Sequence, residues 1–280
     1  MENILILNPE LLQEKTEKFK AGGADAPHVL ADFDRTLTKA VVEGQKSPTV
    51  IAQIRNGKYL TPDYAPKAEE LAAHYYPIEK NPDISKEEKD KLMHEWWSRH
   101  FDLLIKSGLN QKIMHEIVSK RTLQMREGSL DFFDILHAKN IPIIIMSAAP
   151  GDMIRMYLEQ DGRMFDNVHL ISNFFDFDDN GSVVKVQEPI IHSLNKYETV
   201  VKDYPVYKEV ENRKNVLLLG DPIDDIGMVE GFDYDEIIKI GFLNDKIEEN
   251  KQEYLENFDV VIINDGDMGY VNEVMGKILN

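Results

Sequence analysis

Two aspartates one residue apart, Asp32 and Asp34, close a short apolar run in VLADFDRTL (Val29 to Leu37), and Thr36 follows two residues later. If the run is a buried strand, both carboxylates emerge at its C-terminal end, where open α/β sheets hold their ligands. Within a strand, residues i and i+2 share a face, and curvature beyond the strand end can turn both acids towards one centre. Acids this close raise each other's pKa unless a cation lies between them. A hard divalent ion such as Mg²⁺ is the simplest resolution.

Two other apolar runs end in the same way. SAAPGD follows an apolar stretch at Ser147, and GDPIDD follows NVLLL at Gly220. One polar residue at a strand end is usually a cap or a turn. Three such ends, each rich in carboxylates or hydroxyls, point to one polar centre at the edge of a sheet.

The elements that must position these residues follow from periodicity. Glu2 to Lys20 reads as a strand or turn and then a helix. AGGADAP (Ala21 to Pro27) is a loop, and Val29 to Phe33 is the strand that delivers the aspartates. From Ala40 to Pro66, glycines and prolines interrupt the pattern, which implies loops and short helices. Ala68 to Tyr76 is helical, and Pro77 to Asp83 breaks it. Ser85, with Glu88 three residues on, predicts an N-cap for a helix to about Lys106. Gly108 ends that helix and Gln111 to Lys120 forms another. Residues 40–125 therefore read as a helical insert lying as a lid over the strand ends.

In the second half, Ser129 to Lys139 is a helix, Ile141 to Met146 a strand that Ser147 follows, Gly151 to Gln160 a helix and Val168 to Ser172 a strand. Phe174 to Val186 has the Asp-rich and Asn-Gly features of a hairpin, and Asn195 to Tyr204 is mostly helical. Asn215 to Leu219, Ile237 to Ile240 and Val260 to Ile263 are strands, with helices over Lys246 to Asn257 and Tyr270 to Leu279. Unalternated strands separated by helices indicate a mostly parallel, Rossmann-like α/β sheet covered on both faces. The core is then residues 1–39 and 126–280.

Composition excludes several partners. The 280 residues carry 50 acids against 32 bases, a formal charge of −18, which argues against nucleic acid or an anionic membrane. A phosphorylated small molecule stays open, because one metal ion and one lysine reverse the field locally. With no cysteine, thiolate chemistry and Cys zinc sites are absent. MENILILNPE carries acids where a signal peptide needs bases, and no apolar run reaches spanning length. The expectation is a cytoplasmic monomer.

Other polar clusters have plainer readings. DFDDNG (Asp176 to Gly181) is a hairpin turn rather than a calcium loop, because no Glu stands at the required offset. KEEKDK (Lys86 to Lys91) is a solvated helix face. His28, His115, His137 and His169 have no ligand spacing and read as surface or packing residues.

The motif order DxDxT, a Ser after an apolar strand, a Lys and then GDxxxD resembles that of haloacid-dehalogenase-type phosphohydrolases. YYPIEKNP, EEKDKLMHEWW, SNFFDFDDNG, IIHSLNK, LLLGDPIDD and KIGFLND extend the resemblance, along most of the chain, to the cytosolic type III (pyrimidine-type) 5′-nucleotidases. The resemblance implies a haloacid-dehalogenase-like core with a helical cap. It also implies an Mg²⁺-dependent 5′-nucleotidase that cleaves nucleoside 5′-monophosphates through an aspartyl-phosphate. Asp32 would be the nucleophile and Asp34 the general acid and base, with its backbone carbonyl on the metal. Asp221 would bind the metal, and Asp225 would support it. Asp224 replaces a residue that is usually not acidic, and no ligation is assigned to it. Ser147 and the Ala148 N–H would hold phosphate oxygens. Lys196 would neutralise phosphate and nucleophile, with Lys185 as an alternative.

In the insert, the resemblance assigns Glu79 to the substrate's base. Trp96 and Trp97 are adjacent, so a helix turns one into the insert and the other towards the cleft. Trp97 stands where pyrimidine-preferring relatives often carry Tyr, and its larger face would suit a purine or a cationic base such as 7-methylguanine. His100 replaces a small hydroxyl residue. The expected substrate is thus a pyrimidine or 7-methylguanosine monophosphate. Rival readings are a phosphatase or phosphotransferase acting on another small phosphomonoester, and a non-catalytic metal- or nucleotide-binding regulatory module.

Overall fold

The computed structural model describes residues 3–196, 201–230 and 232–279. The chain opens with β1 (Ile4–Leu5) and α1 (Pro9–Gly22), whose first turn is capped by the Asn8 carboxamide on Leu11 N–H at 3.0 Å. β2 (Pro27–Ala31) is buried along its whole length. It stops two residues earlier than the apolar pattern implies, because Asp32 and Phe33 already belong to the turn that follows. That turn, a wide helical loop over Phe33–Leu37, is closed by Thr38 N–H donating to Phe33 O.

The insert begins with a short hairpin, β3 (Val41–Val42) and β4 (Gln45–Lys46), and continues as α2 (Val50–Asn56), α3 (Tyr64–Lys80), α4 (Lys86–Lys106) and α5 (Gln111–Ser119). Ser85 caps α4 as expected, accepting from Glu88 N–H at 3.2 Å. The break expected at Pro77 does not occur, and α3 runs through it to Lys80. An interior proline forfeits one helical hydrogen bond. α3 offsets that by packing along α4, where Tyr75 stacks on Trp96 with centroids 5.8 Å apart. The chain leaves the core and returns to it side by side: Lys39 N–H donates to Gln124 O and Arg126 N–H to Leu37 O, both at 2.9 Å.

The core resumes with α6 (Ser129–Ala138), β5 (Ile143–Pro150), α7 (Gly151–Gln160) and β6 (Val168–Asn173). β5 is longer than its apolar run, so Ser147 lies on the strand rather than after it. Next come the hairpin β7 (Phe175–Phe177) and β8 (Val183–Val186), a short α8 (Tyr207–Val210), β9 (Asn215–Gly220), β10 (Glu236–Leu243), α9 (Ile247–Asn257), β11 (Val260–Ile263) and α10 (Gly269–Leu279). The hairpin serves the insert: Val183 N–H donates to Leu109 O, and Phe175 meets Phe101 of α4 edge-on at 5.5 Å.

Of the helix expected over Asn195 to Tyr204, residues 197–200 lie outside the described residues. Val201–Asp203 is a single tight turn, and Asn195 and Lys196 precede it in a turn. Asn195 accepts from His192 N–H at 2.7 Å and donates to Ile190 O at 2.8 Å, and these local bonds bend the backbone away from a helix.

The seven-stranded sheet has the order β1-β11-β10-β9-β2-β5-β6 and is parallel except for β1. The chain builds outwards from β2 to β6, then returns to the other side of β2 with β9. This reversal of direction opens a crevice at the carboxyl ends of the central strands. Two apolar layers, one on each face, hold the sheet.

Candidate active site

Strand register brings the three motifs together. Ala31 pairs with Leu219 of β9 on one side and with Ile145 of β5 on the other. Asp32 therefore begins one residue beyond Ala31, Asp221 two beyond Leu219, and Ser147 two beyond Ile145. Asp32 N–H donates to Leu219 O at 3.0 Å, which extends the ladder by one bond. A cavity of about 280 Å³ at this edge is lined by Asp32, Asp34, Ser147, Ala148, Lys196 and Asp221, with Asp225 behind them and Trp97 and Lys80 from the insert. The larger cleft between α1 and α10, about 810 Å³, has two acids in its lining, Glu17 and Glu273, and no aspartate among the described residues.

Carboxylate oxygens of Asp32, Asp221 and Asp225 lie within 4.8 Å of one another, the one such group among the described residues. Asp225 is 2% exposed, and its Oδ2 is buried without a hydrogen-bond partner among the described residues. Burial raises the pKa of Asp225 to about 7, with the nearby Asp32 charge adding to it and Lys196 opposing. Asp221 is raised well above the usual carboxylate range by burial and by the charges of Asp32 and Asp225. Three hard oxygen donors that repel one another, one with an unpaired lone pair, fit a divalent cation.

Lys196 is the resident cation. Its Nζ lies 2.5 Å from Asp32 Oδ1 and 2.9 Å from Asp225 Oδ1. Burial alone would lower its pKa, but Asp225 and Asp32 outweigh that and keep it charged. Lys185, on the exposed hairpin, does not line the cavity. The loop carrying Lys196 is fixed by Asn173, whose Nδ2 donates to Ala148 O at 2.7 Å and Ile191 O at 2.8 Å while its Oδ1 accepts from Ile191 N–H. One carboxamide thus ties the Ser147 strand to the Lys196 loop. Ser147 Oγ accepts from Ala149 N–H at 3.2 Å and faces the cavity.

Asp34 is half-buried, and its Oδ1 accepts from Val50 N–H at 3.0 Å at the start of α2. Burial and then the Asp32 charge push its pKa to about 7, against the Val50 bond and the nearby Arg35 and Lys196 charges. A carboxyl with that pKa can give or take a proton near neutrality.

The insert supplies the roof. Trp97 faces the cavity, while Trp96 stacks on Tyr75 within the insert. His100 does not reach the cavity wall. It lies against Trp97, with centroids 5.9 Å apart, and bonds Tyr64 Oη through Nε2 at 3.0 Å. Burial, with the Arg55 charge, lowers its pKa to about 4, so it is neutral. Glu79 is not among the cavity's lining residues either, and its carboxylate accepts from Ser193 Oγ on the Lys196 loop. Asp224 is exposed at the cavity rim. Of the scattered histidines, His28 packs under Phe232, and His115 and His137 are exposed.

Three residues that shape the site have no role assigned to them in the sequence reading. Asn173 is one. Gly220 is another: a Cβ there would fall 2.6 Å from Asp225 Cβ, so glycine alone lets Asp225 tuck behind the strand end. The third is Arg126, 2% exposed, which donates to Thr36 O, Gly266 O, Asp265 and Arg35 O, and so pins the turn after Asp34 to the core. An isolated arginine between short loops has no periodicity or motif to mark it.

Residues 35–279 match the sequence profile of the family described as pyrimidine 5′-nucleotidase (UMPH-1). The 7-methylguanosine phosphate-specific 5′-nucleotidase A of Xenopus laevis is 35% identical over 275 residues, covering 98% of this chain and 95% of that protein. The crystal structure of cytosolic 5′-nucleotidase IIIB bound to cytidine superposes with a TM-score of 0.90 at 29% identity, covering 99% of this chain and 94% of that one. A haloacid-dehalogenase-family hydrolase of Salmonella enterica shares the fold at a TM-score of 0.59 and 13% identity, over 96% of this chain and 81% of its own.

Proposed function

Because the chain belongs to the pyrimidine 5′-nucleotidase (UMPH-1) family and is a phosphoric monoester hydrolase, we propose that it cleaves nucleoside 5′-monophosphates to nucleoside and phosphate with Mg²⁺. The observation that carries this reading is the convergence of Asp32, Asp221, Asp225 and Lys196 on one cavity roofed by Trp97. Residues 1–39 and 126–280 act as the catalytic core, and residues 40–125 as the cap that recognises the leaving nucleoside. A cytoplasmic setting agrees with the relative named as cytosolic. Among the described residues no helix is long and apolar enough to cross a membrane.

Asp32 Oδ attacks phosphorus, and the ester bond to the nucleoside 5′-oxygen breaks. Asp34, protonated in part near neutrality, gives its proton to that oxygen, then takes one from the water that attacks the aspartyl-phosphate. Ser147 Oγ, Ala148 N–H and Lys196 Nζ hold the phosphoryl oxygens in line. Asp32, Asp221 and Asp225, with the Asp34 carbonyl, would hold Mg²⁺. When bound, the ion supplies positive charge to the phosphoryl oxygens and separates the acids.

For the base, the indole face of Trp97, backed by His100 and Phe101, favours 7-methylguanine, whose positive ring is drawn to an aromatic face. The name of the Xenopus relative supports this choice. Cytidine in the solved relative supports a pyrimidine as the second reading. Glu79 would then act on the base or, through Ser193, on the Lys196 loop. The test is Mg²⁺-dependent phosphate release from CMP, UMP, GMP, AMP and 7-methyl-GMP. The reading expects turnover that EDTA abolishes, with 7-methyl-GMP and CMP ahead of AMP. No release from any nucleotide would overturn it.

A further inference from the structure

Among the described residues, three cationic side chains line the catalytic cavity: Lys196, Lys80 and Arg35. Lys196 is engaged with Asp32 and Asp225. Lys80 is exposed, in the last turn of α3. Arg35 differs from both. It is half-buried between Asp34 and Thr36, and its backbone takes φ of 65°, a region uncommon for a residue with a long side chain.

Three hydrogen bonds hold it there. Arg35 N–H donates to Thr38 Oγ1 at 2.8 Å, and Arg35 O accepts from Arg126 Nη2 at 2.5 Å and Asn244 Nδ2 at 3.0 Å. The backbone is clamped, yet Arg35 Nε is buried with no hydrogen-bond partner among the described residues. A guanidinium has five donors and keeps its charge at any working pH. An unpaired buried donor of that kind is costly unless something outside the chain completes it.

The position of Arg35 indicates what that something is. Arg35 and Asp221 are the residues shared by the catalytic cavity and the adjoining one of about 320 Å³ beside Asn244 and Tyr254. Arg35 thus stands on the β10 side of the site, whereas Lys196 does not line that second cavity. We propose that Arg35 is a second phosphate-gripping residue. Its guanidinium donates to an oxygen of the transferring phosphoryl group from the Asp221 side, while Lys196 holds the group from the Asp225 side. A planar fork suits phosphate, and a second fixed cation on the Asp221 side would add to Lys196 in offsetting the aspartates that line the cavity.

This inference rests on the phosphomonoesterase reading, and the test separates the two. Inorganic phosphate with Mg²⁺ is the probe, measured by calorimetry and as an inhibitor, on wild type, Arg35→Met and Arg35→Lys. The expected result is phosphate binding at least about tenfold weaker in Arg35→Met and kcat/KM lower by about 10²-fold, with partial recovery in Arg35→Lys. A folded Arg35→Met with wild-type phosphate affinity overturns the inference even if turnover falls, because a purely structural role would lower turnover and leave that affinity unmoved. Phosphate binding that depends on Arg35 in a wild type that hydrolyses nothing would sink the nucleotidase reading and leave the inference standing. A wild type that does not bind phosphate overturns the inference. If Arg35→Met does not fold, Arg35→Gln takes its place in the comparison.

Discussion

Lys196 Nζ sits 2.5 Å from Asp32 Oδ1, and the same ammonium reaches Asp225. These residues are 164 positions apart in the chain, so the pair exists only because β2 and the loop after β8 meet at the sheet edge. One buried cation balances Asp32 and Asp225 together.

Removing that cation exposes the repulsion it offsets. Lys196→Met leaves Asp225 buried and without its main compensating charge. Asp225 already has a folded pKa above its unfolded one, so its ionisation opposes folding above about pH 4, and the cost is relieved as pH falls through the folded value. The variant should lose about 3–5 kcal/mol of stability at pH 8 and clearly less at pH 5.5. Urea denaturation at the two pH values without metal measures this. An equal loss at both would mean that the lysine contributes packing and not charge.

His28 gives a pH dependence of the opposite sign. It is 1% exposed, its Nδ1–H donates to Arg213 O at 2.7 Å, and burial lowers its pKa to about 4. For a histidine with a depressed folded pKa, the stabilisation is present above the unfolded value near 6.5 and is lost as pH falls from there towards 4. Wild type should therefore lose about 2 kcal/mol between pH 7 and pH 5 relative to His28→Asn. Urea midpoints for both proteins at the two pH values check it, and parallel pH profiles would refute it.

Gly220 tests the shape of the acid cluster without changing any charge. In Gly220→Ala the new methyl would fall 2.6 Å from Asp225 Cβ and 2.8 Å from its Oδ2, so the Asp225 side chain must shift to make room. Displacing a carboxylate that supports a metal typically weakens the metal about 10- to 100-fold. The Mg²⁺ concentration for half-maximal phosphate release should rise by that factor, with KM for nucleotide changed far less. An unaltered Mg²⁺ requirement would show that Asp225 takes no part in holding the ion.

The core was readable because its signals are local. Buried, unalternated strands such as NVLLL and the polar residues that end them mark both the parallel sheet and its reactive edge. Ser85 with Glu88 likewise marks the start of α4. What could not be read depends on contacts distant in sequence. Pro77 is an interior breaker by rule, and only packing of α3 on α4 keeps the helix going. Lys196 reads as an ordinary surface lysine until Asp32 is placed beside it, and only the family resemblance singled it out. Glu79 finds Ser193 across 114 residues, a pairing that no periodicity announces. Arg126 and Asn173 act through backbone carbonyls, whose positions exist only in the folded chain.

The central claim is that Asp32 carries the phosphoryl group, and the most direct measurement is to trap it there. Enzyme turning over a nucleoside monophosphate with Mg²⁺ is quenched in acid, reduced with borohydride and digested for mass spectrometry. An acyl phosphate at Asp32 is converted to homoserine at that position, which the account predicts, and EDTA should abolish the signal. Sustained turnover with an unmodified Asp32, or homoserine at another aspartate, would contradict it.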